Sequence, residues 1–166
     1  NGQEPDMIQK LQDEDALPTQ LYLSTNAADY ESFLKINKPK YDDSWERWNR
    51  TLDMLKHLDT RTVLRITLIR NYNDQKEMIP AFAEMFRKAS PHFIEIKSYM
   101  HIGRSTNRLE HENMLEMSEV KKFSEQIAKE SKIFSIMDES LVSRISILQN
   151  NERFIDRYIP TYANTN

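Results

Sequence analysis

Thr62-Val-Leu-Arg-Ile-Thr-Leu-Ile-Arg-Asn-Tyr-Asn73 is the stretch that decides the fold. It is rich in β-branched residues and alternates with a period of two, which predicts a strand. Leu64, Ile66 and Leu68 fall on one face. Val63, Arg65, Thr67 and Ile69 fall on the other, which is apolar except at Arg65 and Thr67. A charge on a central strand needs a partner or a wet cavity, because burying it unpaired is costly. Two further stretches repeat the pattern. In Gln20–Asn26, Leu21 and Leu23 oppose Gln20, Tyr22, Ser24 and Asn26; in Phe93–Lys97, Ile94 and Ile96 oppose Phe93, Glu95 and Lys97. Three strands, each apolar on one side and functionalised on the other, predict a sheet curved around a polar interior that carries the chemistry.

Composition narrows the classes. A chain of 166 residues fits one domain and can bury a real core. Charged residues make up 30%, yet the net charge is -3, so RNA binding would rest on local patches and not on a global basic field. The absence of cysteine removes disulfides, thiolate metal sites and iron–sulfur ligation from this chain. His57, His92, His101 and His111 are scattered without ligand spacing, so no metal site is expected. No apolar run approaches ~18 residues and no secretory leader is visible, which predicts a soluble, cytoplasmic chain without membrane contact. Two glycines exclude a Gly-rich phosphate loop of either common type.

Taken in order, Pro5-Asp6 opens a helix with Met7, Ile8 and Leu11 on one face, ended by Pro18. The strand Gln20–Ser24 leads through Asn26-Ala-Ala-Asp29 into a helix over Tyr30–Ile36, broken at Lys38-Pro39-Lys40. Asp42–Leu58 is amphipathic, with Trp45, Trp48, Leu52 and Leu55 at helical spacing, which suits core packing. After the central strand, Gln75–Ala89 turns Ile79, Phe82 and Phe86 inward; Pro80 lies in the first turns or marks a delayed start. Phe93–Lys97 is followed by a long polar loop, Ser98–Met114. Ser118 is the expected cap of a helix running to Lys129. Short strands at Ile133–Met137 and Val142–Leu148 close the domain, 1–149, and a polar tail, 150–166, is expected to fray.

Strands alternating with helices predict right-handed crossovers and a parallel sheet. In an open doubly wound sheet both faces are covered and both are apolar. Here one parity is polar in three strands, so a closed or partly closed barrel with an active lumen fits better. Its functional ends are the carboxyl ends Ser24–Asn26, Arg70–Asn73 and Lys97–Met100.

Five segments in one order carry a family resemblance: Leu17-Pro-Thr-Gln-Leu-Tyr-Leu-Ser24, Lys35-Ile-Asn-Lys-Pro39, Trp45-Glu-Arg47, Arg61-Thr-Val-Leu-Arg-Ile-Thr-Leu-Ile69 and Phe93-Ile-Glu-Ile-Lys-Ser-Tyr-Met-His101. Together they closely resemble the tRNA 4-demethylwyosine synthases, radical S-adenosylmethionine lyases that build the tricyclic wyosine base of phenylalanine tRNA. Gly103-Arg-Ser-Thr-Asn-Arg-Leu109, Asn113-Met114, Asp138-Glu139 and Ser143-Arg144 resemble the archaeal branch. The resemblance implies an α/β fold, a partial TIM-like (β/α)6 barrel entered after its third strand, with a parallel sheet and outer helices. It implies S-adenosyl-L-methionine and 4Fe–4S clusters as cofactors, the cluster ligands lying outside this chain. The implied partners are tRNA-Phe carrying N1-methylguanosine, pyruvate and an electron donor.

The same resemblance assigns roles by position. Ser24 and Asn26 would meet the cofactor's ribose or methionine end, with Asn73 matching an asparagine after the following strand. Arg65 and Thr67 would take the methionine carboxylate, or Arg65 would pair with Glu95. Lys97 would contact pyruvate carboxylate or tRNA phosphate, and a lysine amine of lowered pKa can also attack a carbonyl. Arg104, Asn107, Arg108 and Arg144 would face the tRNA backbone. Asn71 and Ser98 stand where the family often has glycine, Leu115-Glu116-Met117 lacks the usual proline, and Leu141-Val142 lacks the usual Glu-Pro. Without cluster ligands, the chain alone is expected to be inactive. The alternative is a cluster-free RNA-binding or interaction module descended from the family.

Overall fold

In the computed structural model, which describes residues 1–159, the alternating stretches form one five-stranded sheet. Part of the expected polar tail, 160–166, lies outside the described residues. Along the chain run α1 (Pro5–Asp13), β1 (Gln20–Ser24), α2 (Tyr30–Asn37), α3 (Ser44–Met54), β2 (Arg61–Leu68), α4 (Ile79–Ala89) and β3 (Phe93–Ser98). Then come α5 (Met117–Ser131), β4 (Phe134–Ser140) and β5 (Ile145–Asn150). No helix among the described residues is long and apolar enough to cross a membrane.

The spatial order is β1-β2-β3-β5-β4. β1, β2 and β3 are parallel, as the alternation of strands and helices predicts. β5 runs antiparallel to β3, and β4 antiparallel to β5, so the sheet is mixed and not parallel throughout. The cause is local. Only Leu141–Arg144 joins β4 to β5, and a link that short can close a hairpin but not a crossover.

Several boundaries also differ from the sequence expectation. The central strand stops at Leu68, because residues 69–73 turn back and Asn71 takes a left-handed conformation (φ 67°). α4 starts late, after a 3-10 turn at Lys76–Met78, which puts Pro80 where its missing donor costs nothing. Glu116, not Ser118, caps α5. Its side chain accepts from the backbone of Glu119 while Glu119 accepts the Glu116 N–H at 2.8 Å, so two orphan donors are satisfied at once.

The helices pack on the apolar parity. Leu23, Leu64, Ile66, Leu68, Ile94, Ile96 and Leu148 share one buried cluster with Phe82 and Phe86 of α4 and Phe123 and Ile127 of α5. Phe82 meets Phe123 edge-on at 5.9 Å, a favoured aromatic geometry. Trp45 and Trp48 stack at 5.3 Å beside Phe33, so both indoles serve packing. Gly2 (φ 68°) fits beneath them because a Cβ would stand 2.6 Å from Leu23 Cδ1.

The opposite face carries Tyr22, Val63, Arg65, Thr67, Phe93, Glu95 and Lys97, and no helix among the described residues covers it. Its lower end is closed by residues after β5, which were expected to fray. Arg61, buried in β2, donates to the carbonyls of Asp156 (2.5 Å), Arg157 (2.7 Å) and Tyr158 (3.1 Å) and lies over the Phe93 ring at 5.3 Å. One cation thus replaces the partners that these carbonyls would otherwise lack.

His92 ties the amino ends of β2 and β3. Its Nδ1 accepts the Thr62 N–H at 3.0 Å, and its own N–H reaches Thr62 O at 3.1 Å. Burial, then the charges of Arg153 and Arg61, push the imidazole from 6.5 down to about 4. The unfolded chain binds this proton below pH 6.5, the folded one only near 4. His92 therefore costs no stability above 6.5 and progressively more as pH falls toward 4. His92→Asn, which keeps an acceptor but no proton, is predicted to flatten the fall of the urea midpoint across that range. An acid dependence identical to wild type would contradict it.

Candidate functional site at the carboxyl ends of the parallel strands

The strand register stacks the polar face in rows. The middle row is Ser24, Arg65, Glu95 and Ile147; the row above is Thr67, Lys97 and Ile145. Arg65 Nε donates to Glu95 Oε1 at 2.8 Å, and the guanidinium lies 4.6 Å above the Tyr22 ring. Glu95 is buried and Arg65 is half-buried, so the central strand's charge is met by its neighbour and by an aromatic face. Of the two sequence options for Arg65, the ion pair is the one formed.

Above this row a carboxamide clamp fixes the strand ends. Asn73, wholly buried, donates through Nδ2 to Asn26 O and Thr67 O, both at 2.9 Å, and accepts the Ile69 N–H at 2.7 Å. Asn26 Oδ1 accepts the Thr67 N–H at 3.0 Å, and Thr25 N–H reaches Arg65 O at 2.7 Å. Asn73 therefore has no group left for a ligand; it shapes the site from behind. The Asn26 amide nitrogen has no hydrogen-bond partner among the described residues and remains available beside Ser24.

Ser24 and Asn26 open into a cavity of about 480 Å³, floored by Phe33 and walled by Gln3, Ser44 and the loop 37–41. Gln3 donates through Nε2 to Ser44 O at 3.1 Å, while its Oε1 is buried without a partner. Ser24, Asn26 and Gln3 beside the Phe33 ring, with Glu4, Lys38 and Lys40 also on the lining, suit the hydroxyls and charged ends of a nucleoside-sized ligand.

The segment after β3 is not a free loop. Ser98 Oγ accepts the Leu115 N–H at 2.9 Å, and short 3-10 turns form at Gly103–Asn107 and His111–Asn113. Arg70 holds it: its guanidinium donates to Glu112 O, Met114 O and both oxygens of Glu119, at 2.6 and 2.7 Å for the latter. Hydrogen bonding by Arg70 keeps the Glu119 carboxyl below its usual range. Beneath the loop Ile69, Tyr99 and Leu109 form a satellite core joined by Ile36, Tyr72 and Met114. Tyr99 Oη lies 3.1 Å from His101 Nδ1.

Lys97 is half-buried, and its amine has neither ion pair nor hydrogen bond among the described residues. Arg104, Asn107 and Arg108 sit exposed on the first 3-10 turn. Arg144 stands apart from them. It donates to Leu115 O at 3.0 Å and pairs with Glu116 at 3.2 Å, so it tethers the β4–β5 turn and presents no free cation. Gln3, Arg70 and Glu119 were not singled out from sequence. Arg70 and Glu119 lie far apart in the chain, and no local spacing links them.

Residues 88–150 match the family described as wyosine base formation. The chain is 42% identical over 158 residues to an S-adenosyl-L-methionine-dependent tRNA 4-demethylwyosine synthase of Methanocaldococcus jannaschii, covering 94% of this chain and 47% of that protein. It is 37% identical over 152 residues to the synthase of Pyrococcus abyssi, covering 92% and 44%. A solved structure of TYW1 with a lysine–pyruvate adduct bound superposes with TM-score 0.80 at 41% identity, covering 93% of this chain and 47% of that one. A crystal structure of archaeal TYW1 gives 0.73 at 36%, covering 93% and 46%. The chain spans about half the length of the relatives it matches. It belongs to the tRNA 4-demethylwyosine synthase family and corresponds to the C-terminal portion of its members.

Proposed function

We propose that this chain forms the part of a 4-demethylwyosine synthase that cradles S-adenosyl-L-methionine at the carboxyl ends of β1 and β2 and presents tRNA and pyruvate to it. In this reading β1–β3 are consecutive strands of a (β/α)6 barrel whose lumen is the polar face. The observation that carries it is the cavity beside Ser24 and Asn26. It holds a free amide donor and a hydroxyl, at the strand ends where α/β sheets bind ligands. These groups fit the hydroxyls and amine of S-adenosylmethionine. When bound, that cofactor supplies the family's radical chemistry; this chain's residues bind and orient. The fit does not extend to an iron–sulfur cluster, because no cysteine is present to ligate one. A 4Fe–4S cluster would be held by residues outside this sequence.

Lys97 lies one row above the Arg65–Glu95 pair, and its lack of an ion partner among the described residues supports it as the group that receives the carboxylate of pyruvate. Arg65, already spent on Glu95, keeps the lumen neutral beneath it, and the Thr67 backbone orients Asn26. Arg104, Asn107 and Arg108, on an exposed turn of the segment whose far end Arg70 holds at Glu112 and Met114, contact the backbone of tRNA-Phe around N1-methylguanosine. The substrate base would thus enter from the loop side and meet cofactor and pyruvate at the strand ends.

The direct test is anaerobic reconstitution of the complete protein with methylated tRNA-Phe, pyruvate, S-adenosylmethionine and a reductant, reading the modified nucleoside by mass spectrometry. Failure of a cluster-loaded protein to form the tricyclic base would reject the proposal. Lys97→Ala is expected to cut product formation by about 10²-fold or more while cofactor affinity stays near wild type. Unchanged turnover would remove Lys97 from the site. Asn26→Ala is expected to weaken cofactor binding roughly tenfold, the worth of one to two hydrogen bonds. Calorimetry showing wild-type affinity would place the cofactor elsewhere.

A further inference from the structure

Many cations on the flanks of the domain are spent: Arg47 on Asp43, Arg50 on Asp6, Lys88 on Asp53, Lys121 on Glu139 and Arg144 on Glu116. Around the mouth of the site, Lys35, Lys38, Lys40, Lys97, Arg104 and Arg108 form no ion pair among the described residues. Lys56, Lys76, Lys122, Lys129 and Lys132 form no ion pair among the described residues either, so the cations at the mouth are set apart by their position and not by pairing alone. Three of these cations lie on α2 and the loop after it, away from the Arg104–Arg108 turn.

Their setting is built, not incidental. Lys38 closes α2 in the left-handed conformation (φ 46°), as Ser90 and Lys132 close α4 and α5, so the end of the helix fixes where its side chain departs. Lys35, one helical turn earlier, lies 5.2 Å over the Tyr72 ring. Tyr72 and Ile36 pack on the satellite core of Ile69, Tyr99 and Leu109, and Leu109 adjoins Arg108. The lysines and the arginine turn therefore ride on one small core. Lys40 stands 6.0 Å over Tyr41, whose exposed ring also faces Arg47 at 5.1 Å. Arg47 is already neutralised by Asp43, whose carboxyl it holds below the usual range.

We infer, on the reading that the chain acts on tRNA, that Lys35, Lys38 and Lys40 form a second phosphate-binding rail on the β1 side of the mouth, with Arg104 and Arg108 on the β3 side. The partner this fits is an RNA hairpin loop whose two backbone arms straddle the cleft. A single small anion needs one ammonium; successive exposed ammoniums along a ridge match successive phosphates. Tyr41 at the end of the rail offers a π-face on which an unstacked base can rest.

The test uses the complete protein and a fluorescein-labelled anticodon stem-loop, with binding read by anisotropy across a series of salt concentrations. In Lys35→Ala/Lys38→Ala/Lys40→Ala the slope of log K against log salt is expected to become shallower by about 2, from roughly 0.7 per lost phosphate contact. Lys38→Glu alone is expected to weaken binding more than Lys38→Ala. Lys38 and Lys40 also line the cavity, so the control is Lys35→Ala, which lies outside it: its S-adenosylmethionine affinity, measured in parallel, stays within about twofold while its salt slope falls. RNA binding by the wild type with an unchanged slope in the triple variant overturns the rail and leaves the functional reading standing. Loss of cofactor affinity with RNA binding intact overturns it as well, and assigns the lysines to the cavity. A wild type that binds no RNA overturns both.

Discussion

The ion pair between Arg65 and Glu95 is the constraint on which the polar face depends. A central strand of a parallel sheet covered on both faces ordinarily reads as apolar throughout, because neither face sees water. Here the apolar parity is packed under five helices, and the other parity tolerates charge because adjacent strands supply opposite signs in register. Removing either partner would strand a charge beside Phe93 and Val63, both buried. With the pair in place, the row above it can hold a lysine whose ammonium is answered by nothing in the described residues. The free amine is thus a consequence of the neutralised row beneath.

The site is assembled from behind by groups that never face a ligand. Asn73 spends its whole carboxamide on three backbone groups at the ends of β1 and β2, which leaves one end of Asn26 free and aimed at the cavity. Arg70 does the same for the segment after β3, drawing it against α5 through Glu119. Side chains from α2 and from the segments after β2 and β3 then share the satellite core around Tyr99. Exposed loop residues such as Arg104 and Arg108 are in this way carried on a packed base, which lowers the ordering cost of binding a large partner.

Two-residue alternation made the strands legible, and with them the partition into a packed and a polar face. Arg65, Thr67, Glu95 and Lys97 all fall on the face assigned to them from sequence. What local periodicity does not encode is long-range direction. β4 and β5 read as short strands, but their antiparallel placement against β3 follows from the four-residue link and from pairing partners distant in the chain. The same limit hid the Arg70–Glu119 pair and the capture of residues 156–158 by Arg61. Asn73 was visible as a polar residue at a strand end, yet its role as a clamp depends on which backbone atoms surround it. At α5 two capping signals competed, and the reciprocal Glu116–Glu119 pair prevailed over the single hydroxyl of Ser118.

The account places the ligand site at the carboxyl ends of β1 and β2, against α2, the start of α3 and the loop between them. Hydrogen–deuterium exchange of the complete protein with and without S-adenosylmethionine tests that placement most directly. Protection on cofactor addition is predicted at residues 24–28 and 69–73, the backbone held by Asn26 and Asn73, with little change at residues 153–159 below. Protection confined to the lower end, or to α4 and α5, would contradict it.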